Sequence, residues 1–109
     1  MKPILPIVLQ RYFDAQNAHD IEAMVACFAP DAAVRDEGRD ISGTEAIRAW
    51  KKQTSAKYRI MAEPLECRSE ADRTVLVAKV SGNFPGSPAN LTYRFSLAAD
   101  GRISALEVR

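Results

Sequence analysis

The hydrophobic pattern of this 109-residue chain changes period near its middle, and that change constrains the fold more than any single motif does. Apart from a short alternating stretch over residues 32–41, the apolar residues up to about residue 55 recur at helical spacing, and from about residue 58 they alternate with a period of two. No linker separates the two parts, and the sequence contains no internal repeat. Helices followed directly by strands predict an α+β fold, formed as a single domain by residues 1–109.

Two short antiparallel helices are predicted before residue 30. The first spans residues 4–17, and Tyr12 lies in the middle of its apolar face. The second follows Asp20, a residue type that caps helices well, and Pro30 is expected to end it.

A third helix is predicted from the segment Ser42-Gly43-Thr44-Glu45, which has the spacing of a capping box, to about residue 55. Its buried side would carry Ile47 and Trp50. Its basic residues are expected to face water, and they are Arg48, Lys51 and Lys52.

The predicted strands form two groups. A short hairpin is expected over residues 32–36 and 39–41, folded about Glu37-Gly38. Four further strands are predicted over residues 58–68, 73–84, 91–98 and 102–108. Short turns join these four, so we expect an antiparallel meander in a curved sheet that packs on the three helices. The concave interior of such a sheet often holds a small molecule.

Composition excludes several kinds of partner. Lys and Arg total 15 against 14 Asp and Glu, a net charge of +1 without a basic stripe, so no nucleic-acid partner is expected. Two cysteines and one histidine lack the spacing of metal sites, and no phosphate-binding loop is present, so no metal and no other cofactor is expected. The apolar start over residues 1–9 is interrupted by proline and lacks a cleavage site. We therefore expect a cytoplasmic protein with reduced thiols and no membrane partner.

Two polar residues lie where the pattern expects apolar ones. Tyr12 is on the apolar helix face, and Asp36 shares a strand face with Ala32 and Val34. A carboxylate in the interior would suit proton transfer, and a buried phenol could donate a hydrogen bond to an oxygen that gains charge. The residues alone leave open that Tyr12 is an ordinary core residue and Asp36 a turn residue beside Gly38.

Large side chains from several predicted elements could line the same interior. Periodicity does not distinguish a residue of the core from one that lines a pocket. The candidates for ligand binding are Tyr93, Trp50, Phe28, Met61 and Phe95.

Three segments of the first half carry a family resemblance: LQRYFDAQNAHDI over residues 9–21, FAPDAAVRD over residues 28–36 and SGTEAIR over residues 42–48. They resemble the SnoaL-like branch of the nuclear transport factor two superfamily, and more narrowly bacterial steroid delta-isomerase. The resemblance implies a cone-shaped, curved antiparallel sheet of about six strands closed by three helices around one pocket, the cystatin-like α+β barrel. It also implies a homodimer formed through the outer face of the sheet.

The resemblance implies roles for two residues. In steroid delta-isomerase a tyrosine of the first helix polarises the ketone, and that position matches Tyr12. An aspartate at the end of the first strand removes and returns the proton, which matches Asp36; this enzyme is the established example of a base combined with an oxyanion hole. The late-strand aspartic acid of the isomerase has no counterpart between Asn90 and Ala99, and an ungapped alignment places Tyr93 there.

Three functional hypotheses follow. In the first, an isomerase-like or cyclase-like enzyme uses Asp36 to move a proton next to the carbonyl of a small apolar ligand, while Tyr12 stabilises the enolate. In the second, which the missing carboxylate favours, the pocket binds a small hydrophobic ligand without catalysis. In the third, a structural module dimerises through its sheet, and Trp50, Phe28 and Phe95 fill the interior.

Overall fold

The computed structural model describes residues 3–109, so Met1 and Lys2 of the apolar start lie outside the described residues. Within this range three helices and six strands follow the predicted order. The helices are α1 (Ile7–Asn17), α2 (Ile21–Ala26) and α3 (Thr44–Tyr58). The strands are β1 (Phe28–Asp36), β2 (Arg39–Ser42), β3 (Met61–Glu70), β4 (Arg73–Ser81), β5 (Ala89–Leu97) and β6 (Ile103–Val108). No helix in this range is long and apolar enough to span a membrane.

The six strands form one mixed sheet in the order β2-β1-β6-β5-β4-β3. Strands β3 to β6 form the expected antiparallel meander, and β1 pairs antiparallel with β2. The structure differs from the expected wholly antiparallel sheet at one pair, because β1 and β6 run parallel. Short turns predict pairing between consecutive strands, whereas the pairing of the first strand with the last is set by packing of the whole chain. The sheet is not closed into a barrel, since β2 and β3 are its edges.

Prolines set two element boundaries differently from the prediction. Pro30 was expected to end α2, but β1 begins at Phe28 and contains this proline. The register between β1 and β6 shifts between Phe28 and Ala33, and a residue without an N–H to donate fits at such an irregularity. Helix α1 begins at Ile7 rather than at residue 4, because Pro6 is its N-cap and proline disfavours helical backbone in the residue before it.

The two predicted helix caps have different outcomes. The Asp20 carboxylate accepts a hydrogen bond from the Ala23 N–H at 3.1 Å and caps α2 as predicted. The capping box of α3 is not formed, because Gly43 is the N-cap and no side chain caps the helix. The φ of Gly43 is 86°, a conformation that glycine adopts without steric cost. Helix α3 also continues beyond its predicted end, to Tyr58.

One end of the interior is filled by aromatic rings. Phe13, Phe28 and Phe95 are each at most 4% exposed, and together with aliphatic side chains they hold α1 against the sheet. The C-terminal end of α1 is fixed to the edge strand β3 by Asn17. Its side chain accepts a hydrogen bond from the Ala62 N–H at 2.7 Å and donates one to the Ala62 carbonyl at 2.9 Å. These contacts position the inner face of α1 over the sheet.

The basic residues of α3 are not all solvated, contrary to the prediction. The Arg48 guanidinium binds Glu22 of α2 with two hydrogen bonds, Nε to Oε2 at 2.8 Å and Nη2 to Oε1 at 3.0 Å. It also pairs with Glu45 one helical turn earlier. Lys52 is exposed as predicted, whereas Lys51 is buried. The Arg48 pairs join α2 to α3 at the surface, where an ion pair contributes about 0–1 kcal/mol.

Candidate functional site

A cavity of about 290 Å³ lies between α1, α3 and the sheet. Most of its wall is apolar and comes from β4, β5, β6 and the segments that flank them. Its polar lining residues are Tyr12, Gln16, Asp36, Glu37, Lys51, Thr54, Tyr58 and Tyr93. An apolar wall with a few convergent polar groups is typical of small-molecule sites, which usually span about 300–1,000 Å³. The cavity therefore suits a small ligand.

Asp36 reaches the cavity from the end of β1, as the alternation of that strand predicts. Its neighbour on the same face, Val34, is buried. The hairpin to β2 turns at Glu37 and Gly38, whose φ values of 52° and 74° are typical of a type I′ turn. The indole Nε1 of Trp50 donates a hydrogen bond to Asp36 Oδ2 at 2.9 Å. Helix α3 therefore fixes one carboxylate oxygen, while Oδ1 accepts no hydrogen bond from residues 3–109.

Tyr12 lies on the inner face of α1 with 1% of its surface exposed. Its ring meets Phe28 and Phe95 edge-on, with centroids 5.6 and 6.0 Å apart. Among the described residues its hydroxyl has no hydrogen-bond partner, and the residue lines the cavity. Burial raises the pKa of Tyr12, and the nearby Tyr93 and Asp36 raise it further. The phenol is therefore protonated at neutral pH and can donate a hydrogen bond to a ligand.

Tyr93 contributes a second phenol from β5. Its ring stacks on Phe95 at a centroid separation of 6.0 Å and meets Phe13 edge-on at 5.2 Å. Burial raises the pKa of Tyr93, and the Asp36 carboxylate raises it further. Tyr93 is thus a neutral donor at the position where the resemblance places a second acid.

Lys51 was predicted to face water, but it is only 4% exposed and lines the cavity. Its Nζ donates a hydrogen bond to Gln16 Oε1 at 3.1 Å. The same atom lies 4.7 Å from the ring centroid of Tyr12 and 4.1 Å from that of Trp50. Burial lowers the pKa of Lys51 to about 7, although the Asp36 carboxylate acts in the opposite direction. Sequence reasoning therefore missed a titratable group of the site.

The spacing of α3 contains a signal for this residue. Ile47, Trp50, Lys51 and Thr54 occur at i, i+3, i+4 and i+7, which places them on one helical face. Ile47 and Trp50 alone were read as the buried side, because lysine is almost never fully buried without a partner. The partner, Gln16, comes from α1 and is separated from Lys51 by 35 positions.

The structure brings together only part of the predicted site. Tyr12, Asp36, Trp50 and Tyr93 line the cavity. Three candidates for ligand binding do not line it, and they are Phe28, Phe95 and Met61. The two phenylalanines lie behind Tyr12 in the filled core, at 4% and 0% exposure. Met61 is 45% exposed because the inward face of the edge strand β3 begins at its neighbour Ala62.

The wall that closes one side of the cavity comes from the end of α3 and the loop after β4. The rings of Tyr58 and Phe84 meet edge-on at 6.1 Å. The Asn83 N–H donates a hydrogen bond to the Tyr58 carbonyl at 2.7 Å. A side chain at Gly82 would place its Cβ 2.5 Å from the same carbonyl oxygen, so this close approach requires glycine. Sequence reasoning missed Tyr58 and Phe84 as lining residues.

Besides the exposed Glu37 and the half-buried Tyr58, the cavity thus contains one carboxylate, two phenols and one amine that could act on a ligand. The carboxylate can accept a proton, and the neutral phenols can donate hydrogen bonds to an oxygen. Within residues 3–109 no group of three or more His, Cys, Asp or Glu side chains is arranged to hold a metal ion.

Residues 9–106 of the chain match the SnoaL-like domain. A protein from Sinorhizobium meliloti, provisionally described as a polyketide cyclase, is 45% identical in sequence. That match covers 96% of this chain and 95% of the other, with a TM-score of 0.91. The agreement extends over both the helical and the strand-rich part.

Two further solved structures share the fold at lower identity. SalBIII, an epoxide hydrolase/cyclase-like enzyme of pyran ring formation in the polyether salinomycin, is 20% identical over 93% of this chain and 85% of its own, with a TM-score of 0.82. A Catenulispora acidiphila protein with a ketosteroid isomerase-like fold is 18% identical over 97% and 86%, with a TM-score of 0.84. The predicted α+β fold and the resemblance to the SnoaL-like family are confirmed, and the chain belongs to the SnoaL-like domain family.

Proposed function

We propose that this protein is a cofactor-free, isomerase-like or cyclase-like enzyme that moves a proton next to the carbonyl of a small, largely apolar molecule. One observation carries the proposal: a carboxylate held by an indole N–H lines the same cavity as two phenols whose hydroxyls bind no described residue. Such a cavity offers a base and two donors to a single ligand. The base is Asp36, and the donors are Tyr12 and Tyr93.

The proposed step begins with a ligand whose carbonyl oxygen accepts hydrogen bonds from the two phenols. The Asp36 carboxylate removes a proton from the carbon next to the carbonyl, so the C–H bond breaks and its electron pair forms an enolate. The negative charge that develops on the oxygen is stabilised by the phenolic hydrogen bonds. Protonated Asp36 then returns the proton to a carbon of the enolate, which restores the carbonyl and the carboxylate.

Tyr93 takes the place of the carboxylic acid that the resemblance would require. An oxyanion donor must be protonated, and burial keeps both phenols neutral. Loss of one such donor typically costs about 10²–10³ in rate, so a second donor matters to the proposal. The two tyrosines supply two donors without a protonated aspartic acid.

The similar proteins support this class of reaction. The Sinorhizobium meliloti protein is described as a polyketide cyclase, and SalBIII as epoxide hydrolase/cyclase-like. Ring formation next to carbonyl groups and double-bond isomerisation both need a proton removed from, or returned to, an activated carbon. The homodimer through the outer sheet face and the cytoplasmic location stay predictions.

The test compares the wild-type protein with Asp36→Asn on small cyclic ketones, including a β,γ-unsaturated cyclohexenone. Deuterium uptake next to the carbonyl is measured by NMR, and formation of the conjugated product by ultraviolet absorbance. We expect Asp36→Asn to lower both rates by about 10²–10⁴, because the amide retains the Trp50 hydrogen bond but cannot accept the proton. Asp40→Asn is the matched control, because Asp40 is an exposed carboxylate on the neighbouring strand β2. It should leave the rates unchanged.

Two outcomes would contradict the proposal. Equal rates in the wild-type protein and Asp36→Asn would remove the base from the mechanism. Binding of the ketones by the wild-type protein without any proton exchange would instead support the noncatalytic binder that the missing late-strand carboxylate favours.

A further inference from the structure

We propose that Lys51 is an amine nucleophile of this pocket, which forms an imine with the carbonyl carbon of an aldehyde or ketone ligand. This inference deepens the proposed function, on which it rests for the carbonyl group of the ligand. It assigns a chemical role to a residue that the proton-transfer mechanism does not use.

The surroundings of Lys51 differ from those of a structural lysine. A buried ammonium is ordinarily paired with a carboxylate. Lys51 takes part in none of the ion pairs within residues 3–109, and its Nζ donates one hydrogen bond to the neutral amide of Gln16. Arg48, on the same helix, pairs instead with two glutamates. A cationic side chain kept in the interior without an anionic partner lowers stability, and groups held at such a cost are typical of functional sites.

The geometry places the Lys51 amine at the cavity wall. Nζ lies over the rings of Tyr12 and Trp50, with centroid distances of 4.7 and 4.1 Å. The two rings and Gln16 together fix the end of a side chain that is otherwise flexible. Tyr12 is the proposed donor to the ligand oxygen, and Trp50 is the residue that holds Asp36 by a hydrogen bond. A carbonyl bound by Tyr12 therefore lies in the cavity that the amine lines.

The charge state of Lys51 fits this role. Burial lowers the pKa of its amine to about 7, so near neutral pH about half of the molecules carry the free amine that can attack a carbonyl. An exposed lysine, with a pKa of about 10.4, carries it in only about one molecule in 2,500 at pH 7. The titratable groups that line the cavity with Lys51 are Tyr12, Asp36, Glu37, Tyr58 and Tyr93.

The covalent step is balanced without an added reactant. The lone pair of the neutral Nζ forms a bond to the carbonyl carbon, and the carbonyl oxygen becomes the hydroxyl of a carbinolamine after it receives one proton from the nitrogen. The C–O bond then breaks, and the oxygen leaves as water with the second hydrogen of the amine. The product is a C=N bond between Lys51 and the ligand, and its protonation gives an iminium.

An iminium would strengthen the acid–base chemistry of the site. Its positive nitrogen acidifies the C–H bonds of the carbon next to the C=N carbon, so the Asp36 carboxylate removes that proton more easily. The C–H electron pair then forms a C=C bond, the π electrons of the C=N bond move to the nitrogen, and an enamine results. Hydrolysis of the imine returns the carbonyl compound and the free amine. The ligand class is therefore an aldehyde or ketone, rather than an ester or a carboxylic acid.

The experiment traps the imine on the whole wild-type protein. Cyclohexanone is added at neutral pH with sodium cyanoborohydride, whose hydride reduces the iminium carbon and leaves a stable secondary amine. Peptide mapping by mass spectrometry then locates the label. We expect Lys51 to be labelled at least about tenfold faster than its exposed neighbours Lys52 and Lys57, because of its larger fraction of free amine.

Variants separate this proposal from the proton-transfer mechanism. Lys51→Arg should lose the label at position 51, and Lys52→Arg is the matched control that should retain it. Asp36→Asn should retain or accelerate labelling of Lys51, because imine formation does not need the carboxylate and its removal lowers the pKa of the amine further.

The outcomes are distinguishable. Labelling confined to exposed lysines in the wild-type protein would overturn the amine nucleophile even if Asp36 proves essential for proton exchange. Rapid labelling of Lys51 in a protein that exchanges no protons would support the imine and contradict the proposed proton transfer. Because the wild-type map alone decides the first point, the test does not depend on whether a variant folds.

Discussion

The two ends of the interior share α1, β1 and β5 but differ in how they are filled. At one end Phe13, Phe28 and Phe95 close the space between α1 and the sheet. At the other end the cavity keeps polar groups, among them the Asp36 carboxylate and the Lys51 amine. Tyr12 belongs to both, since its ring packs on Phe28 and Phe95 while the residue lines the cavity.

The difference shows how a small domain divides its interior between stability and chemistry. Burial of apolar side chains stabilises the fold by about 1.5–3 kcal/mol for each large residue, which the filled end provides. Polar groups in the interior cost free energy unless they are bonded, and Lys51 and Asp36 each have one neutral partner. We therefore expect variants of the filled end to affect stability, and variants of the cavity to affect function.

The largest expected effect is on the filled end. Phe95→Ala removes a fully buried ring that contacts Tyr12, Phe13 and Tyr93, and should lower the free energy of unfolding by about 3–5 kcal/mol. Urea denaturation measures this loss. Phe84→Ala, at the half-buried wall of the cavity, is the control and should cost clearly less. Equal losses would show that the cavity wall is as important for stability as the core.

The next largest effect is on function, and it is expected for Tyr12, the residue that the two ends share. Tyr12→Phe keeps the ring and removes only the hydroxyl, so the rate of proton exchange should fall by about 10²–10³. The free energy of unfolding should change by less than about 1 kcal/mol, because the hydroxyl bonds to no described residue. Exchange measured by NMR and unfolding in urea test the two parts. A large loss of stability with unchanged exchange would place the hydroxyl in the core.

The smallest expected effect is a dependence of stability on pH. The pKa of Lys51 is about 7 in the folded chain and about 10.4 when unfolded, so the unfolded chain binds more protons between these values. The free energy of unfolding should therefore rise with pH, by roughly 1–3 kcal/mol between pH 6 and about pH 9 relative to Lys51→Met. Near pH 6, where the buried Lys51 amine of the wild-type protein is charged, Lys51→Met should therefore be more stable than the wild-type protein.

Urea denaturation of both proteins at several pH values measures this difference. Lys52→Met replaces the exposed neighbour and should follow the wild-type curve. Parallel curves for the wild-type protein and Lys51→Met would mean that burial does not depress the pKa of this amine.

Local patterns were sufficient to predict a large part of the fold and half of the site. The period-two alternation of β1 predicted that Asp36 faces inward, and the helical spacing of α1 did the same for Tyr12. Both rest on the direction of a side chain relative to its neighbours, which the backbone of a single element sets. The parallel pairing of β1 with β6 depends on contacts between distant segments, and no local pattern contains it.

The burial of Lys51 likewise depends on contacts with distant residues that no local pattern contains. Its spacing places it beside Ile47 and Trp50 on α3, but spacing does not tell how wide the buried stripe of a helix is. That width depends on what packs against the helix, and here Gln16 and Tyr12 of α1 cover the Lys51 amine. Met61, by contrast, was expected inside and lies exposed on an edge strand.

The sequence by itself determined the order of helices and strands, the α+β class and the inward direction of Asp36 and Tyr12. These properties follow from the hydrophobic period of each segment, which is local along the chain. Only the tertiary structure decided that the sheet is mixed, that Trp50 holds Asp36, and that a lysine shares their cavity. These features join residues far apart in sequence, and packing of the whole chain is what brings them together.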